Sequence, residues 1–74
     1  MKERAWTNPS IHGNIVYYYE VASGLVVAEI QMRDETSLAI TRLGKAELFG
    51  GPQHWEKAKK YVEQKWAEKD AENV

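Results

Sequence analysis

The chain has 74 residues, 43% hydrophobic and 11% aromatic, with no cysteine and a formal net charge of −1. That suffices for one hydrophobic core and not for two, and it excludes a disulfide framework, a thiolate metal site and a long-range field that would gather nucleic acid or anionic lipid. No stretch reaches the roughly 20 apolar residues of a membrane span and the polar start, Met1 to Arg4, lacks an apolar leader core, so the reading is a single cytoplasmic domain, 1–74.

Asn8-Pro9-Ser10 and Gly13-Asn14 interrupt the first fourteen residues, which leaves Trp6 on an N-terminal arm or short extra strand covering one end of the core. From Ile15 the run Ile-Val-Tyr-Tyr-Tyr-Glu-Val-Ala, then Ser23-Gly24, then Leu-Val-Val-Ala-Glu-Ile-Gln-Met reads as a β-hairpin. With Ser23-Gly24 as a two-residue turn, Tyr19 opposes Ala28, Tyr17 opposes Ile30 and Ile15 opposes Met32. The core face is then Ile15, Tyr17, Tyr19, Val21, Val26, Ala28, Ile30 and Met32. The opposite face holds Val16, Tyr18, Glu20, Val27, Glu29 and Gln31.

After the polar turn Arg33-Asp34-Glu35-Thr36, a third strand is expected over 37–43 with Leu38 and Ile40 inward and Thr41 outward, and a short fourth over 46–49. The sheet would thus occupy 15–49. Gly50-Gly51-Pro52 stops it and opens a helix over 52–69, proline suiting a first helical position. Trp55, Ala58, Val62 and Trp66 recur at spacings of three, four and four, one amphipathic stripe to pack on the sheet. Residues 70–74 are polar and read as a fraying tail. The fold class is α+β, a three- to four-stranded antiparallel β-meander packed on one C-terminal α-helix.

Catalytic and ligand-binding patterns are sparse. His12 and His54 stand in no metal-ligand spacing, so no metal or cofactor is expected. Glu20 and Glu29 form a diagonal cross-strand pair about 7–8 Å apart, but a solvated flat face gives neither carboxyl a raised pKa for acid–base work. The serines and threonines lie in turns and strands without a patterned histidine. Gly50-Gly51 is too little glycine for a phosphate loop, and the lysines at 57, 59, 60, 65 and 69 are interleaved with Glu56, Glu63, Glu68 and Asp70 as on a solvated helix face. The chain reads as a non-enzyme.

Val27-Ala28-Glu29-Ile30, Leu43-Gly44, Phe49 and the run Trp55 to Val62 with Ala58-Lys59 resemble a small sheet-then-helix module of uncharacterised bacterial and phage proteins. The order of elements is similar to that of the AP2-type plant DNA-binding domain and the arm-binding domain of phage-related integrases, which implies DNA binding through outward strand residues. Those domains present basic side chains there. The corresponding positions in this chain are Val16, Tyr18, Glu20, Val27, Glu29, Gln31 and Thr41, leaving Arg33, Arg42 and Lys45 as the nearest cations.

The least ordinary feature is the outer face, where Val16, Tyr18, Leu25 and Val27 form an apolar patch beside Glu20 and Glu29, open unless the N-terminal arm folds over it. The expectation is a protein-interaction module, of the accessory or inhibitor kind found in bacteria and phage, contacting a protein partner or a second copy through that face. Nucleic acid is the alternative partner, and no membrane contact is expected.

Overall fold

Among the described residues five strands follow one another in chain order across one antiparallel sheet: β1 (Arg4–Trp6), β2 (Ile15–Glu20), β3 (Val26–Met32), β4 (Thr36–Ile40) and β5 (Glu47–Gly50). A single helix, α1 (His54–Glu72), crosses one face of it. The computed structural model describes residues 3–8 and 14–72. The α+β meander is as the sequence predicts, with five strands where three or four were expected. The extra strand comes from the N-terminal segment, which pairs with β2 through Arg4–Glu20, Ala5–Tyr19 and Trp6–Tyr18.

The β2–β3 turn departs from the expected one. Two-residue hairpin turns need positive φ at both central residues, or glycine at the first; here glycine comes second, after a serine. The chain instead makes a four-residue loop, Val21 to Gly24, in which the Gly24 amide donates to the Glu20 carbonyl at 2.7 Å and the Glu20 amide to the Leu25 carbonyl at 2.9 Å. Gly24 alone takes the left-handed conformation, φ 74°. The Ser23 hydroxyl locks the loop, accepting from the Leu25 amide and donating to Glu20 Oε1, both at 3.2 Å.

A β-bulge follows: Tyr19 pairs with Val26 but Tyr18 with Ala28, so Val27 is an extra residue without a partner on β2. Beyond it Tyr17 opposes Glu29, Val16 opposes Ile30 and Ile15 opposes Gln31. Relative to the expected register β2 has slipped by one residue, and with a side-chain period of two its faces are exchanged. Val16 and Tyr18 face the helix, and Ile15 and Tyr17 face away.

β4 is exchanged as well. Ser37 and Ala39 are buried beneath the helix and Thr41 is buried rather than outward, so Leu38 and Ile40 point away from it. The reason is volume. The helix brings Trp55, Tyr61 and Trp66 against a cluster of Val16, Ala28, Ile30, Ala39, Ala58 and Val62. At native packing density these large side chains leave room below for small ones, so Ala28, Ser37 and Ala39 occupy the inner face.

The helix starts at His54 rather than at Pro52. Gln53 adopts φ 60° immediately before it, and its carbonyl accepts the first helical hydrogen bond, from Lys57 at 3.0 Å. At the other end α1 continues through Glu72, so residues 70 to 72 extend the helix where a frayed tail was expected. Among the described residues no helix is long and apolar enough to cross a membrane.

Candidate interaction surface

The helix covers one side of the sheet, and the opposite side presents three cross-strand rows. Pairing along the ladder aligns Ile15, Gln31, Leu38 and Leu48 across β2, β3, β4 and β5. One step along the strands lies a second row, Tyr17, Glu29 and Ile40. On the other side of the central row are Arg33, Thr36 and Gly50: the Arg33 amide donates to the Thr36 carbonyl at 2.8 Å, and Thr36 pairs with Gly50.

Bulky apolar side chains therefore remain on the uncovered face. Leu48 is 64% exposed and Tyr17 38%. Gln31 Nε2 donates to Glu29 Oε2 at 3.4 Å, tying the carboxylate of the second row to the amide of the central one. Arg33 joins Gln31, Thr36, Leu38 and Leu48 around a depression of about 230 Å³, which places its side chain on this same face.

Of the six residues expected to form the contact surface, only Glu29 lies on this face within a strand. Val16 is fully buried under the helix, Tyr18 packs against the core and Val27 is 4% exposed at the bulge. Glu20 faces the helix side, 4.0 Å from Arg4, and Leu25 is exposed in the turn. The slip of register accounts for these displacements. Ile15, Tyr17, Leu38, Ile40, Leu48 and Arg33 occupy the uncovered face instead; the serine-before-glycine order of the turn argues against a two-residue hairpin, but no local signal chose the inward face of β2 and β4.

The helix side holds two polar constellations. At one end Arg4, its side chain 5% exposed, makes a bidentate pair with Asp70 at 2.7 and 2.8 Å and lies 4.8 Å from the centre of the Trp66 ring. The hydrogen bonds that Arg4 donates to Asp70 raise its pKa against the opposing effect of desolvation. Beside it Trp6 Nε1 donates to Glu63 at 3.0 Å, and its ring packs on Tyr18 and Trp55 at centroid distances of 4.5 and 5.9 Å. Burial, followed by the charge of Glu63, raises the Tyr18 phenol above its ordinary value. These contacts are structural: they clamp β1 to α1.

At the other end Ser37 Oγ lies 2.6 Å from His54 Nδ1. A serine–histidine pair has the composition of an activated nucleophile, but Ser37 is fully buried and no substrate could reach its oxygen. The neighbouring shallow cleft, about 660 Å³, runs between Asp34-Glu35 and the start of the helix, so an anion drawn to the helix N-terminus would meet two carboxylates. No grouping of three metal-ligating side chains occurs among the described residues, which exclude His12. Comparison with protein-family models, with curated proteins and with solved structures finds no match.

Proposed function

We propose that this chain is a non-enzymatic protein-interaction module and that the uncovered sheet face makes the contact. The observation that carries the reading is the central row, in which Ile15, Leu38 and Leu48 stand with Gln31 across four strands on the side opposite the helix. Apolar side chains gathered across several strands and framed by charged and polar groups are the usual composition of a contact surface, whereas a face meant only for solvent is mostly polar. Duplex DNA fits this face poorly, because a single cation, Arg33, shares its three rows with the carboxylate of Glu29 and offers little counterion release.

Leu48→Lys and Tyr17→Glu test it. Both side chains are substantially exposed, so each substitution should leave the fold and its thermal transition in place while removing the bound protein or the self-association in sedimentation and pull-down experiments. If both variants keep every contact made by the unaltered chain, the surface lies elsewhere and the reading fails.

A further inference from the structure

Resting on that reading, we infer that the occupant of the uncovered face is a second copy of this chain, packed sheet to sheet about a two-fold axis that lies in the interface and crosses the strands at Gln31. The argument is the complementarity of the three rows to one another. Rotation by 180° about such an axis lays the central row on its own copy, so Ile15, Leu38 and Leu48 meet the same apolar residues. It also lays the row of Tyr17, Glu29 and Ile40 over the row of Arg33, Thr36 and Gly50, and does so twice, as an isologous contact requires.

Charge and volume both agree with that superposition. Glu29 and Arg33 are four residues apart on the same chain line, roughly 13 Å at about 3.3 Å per residue, which is too far for a direct ion pair between two side chains held on one strand. The two-fold rotation places each carboxylate over the guanidinium of the other copy, giving two symmetric pairs on either side of Gln31, whose amide meets its own copy, with the apolar contacts of Ile15, Leu38 and Leu48 on the neighbouring strands. On β4 the same operation sets Ile40 over the smaller Thr36, large against small. Any shift of the axis by one row stacks Glu29 on Glu29 or Arg33 on Arg33, so the charges select this register over its neighbours.

The sheets would sit about 10 Å apart, as in other face-to-face packings. Four strands at about 4.8 Å and three rows about 6.7 Å apart give a footprint of about 400 Å² per copy, below that of standard interfaces, so a weak dimer with a dissociation constant of about 100 µM is expected.

Sedimentation equilibrium of the full chain from about 1 µM to about 500 µM spans that affinity. The mass should rise from 8.5 kDa toward twice that value. Glu29→Arg alone and Arg33→Glu alone should each raise the dissociation constant about tenfold or more, and the double variant, with the charges exchanged, should return it to within about threefold of the unaltered chain. Circular dichroism of each variant establishes that the fold persists. A chain that stays at 8.5 kDa throughout overturns the inference, as does a dimer indifferent to both single reversals or one that the exchange does not rescue. The broader reading is separable: a monomeric chain that loses a different protein on Leu48→Lys would retain the contact face with another occupant, and a dimer unmoved by Leu48→Lys as well would remove both.

Discussion

Arg4 and Asp70, 66 residues apart in sequence, are joined by two hydrogen bonds of 2.7 and 2.8 Å that fasten the first strand to the last turns of the helix. The pair makes an edge strand of three residues tenable, since so short a ladder contributes few backbone bonds of its own. Trp6 supplements it through Glu63 and the Tyr18 ring.

Asp70→Asn should therefore loosen β1 before it unfolds the domain. Arg4 would keep its burial and lose its charged acceptor, and its Nε already has no hydrogen-bond partner among the described residues. With Asp70 about a third exposed, a loss of about 1–3 kcal/mol is expected, less than for a fully buried pair. Hydrogen exchange checks the location: the amides of Ala5 and of Thr7 just beyond β1, which face β2 as hydrogen-bonded partners, should lose protection first. Uniform loss across β3 and β4 would show that the pair supports the whole domain instead.

Tyr18 predicts an alkaline limit. Its folded pKa is raised above the ordinary value near 10, chiefly by burial, so the neutral phenol is the form the native state favours. The associated stability is complete below about pH 10 and is lost as pH rises through the folded pKa, because the unfolded chain ionises first. Ultraviolet titration should show a late-ionising phenol, and Tyr18→Phe should remove it. Identical late ionisation in the variant would move the assignment to another tyrosine.

The exchange of faces on β2 is measurable through neighbouring residues. Val16→Ala removes buried methyl groups and should cost about 2 kcal/mol, whereas Tyr17→Ala, on the uncovered face, should cost less than about 1 kcal/mol in the dilute monomer. Chemical denaturation at low protein concentration gives both values. The reverse order would restore the two-residue turn at Ser23-Gly24.

Much of the architecture is legible in the residues alone. β-branched and aromatic runs separated by turn residues specify a meander, and Trp55, Ala58, Val62 and Trp66 specify which helix face meets it, since both signals depend only on local geometry. On β3 the alternation of Ala28, Ile30 and Met32 against Glu29 and Gln31 is equally plain, polarity alone separating its two faces. What sequence could not decide was which face of β2 and β4 lies inward, because both of their faces are apolar enough to bury. Tertiary packing made that choice. A four-residue loop ending at Gly24 and a bulge at Val27 set the register. The large aromatics of the helix then required small partners beneath them, leaving Ile15, Tyr17, Leu38 and Leu48 on the side where a second protein can reach them.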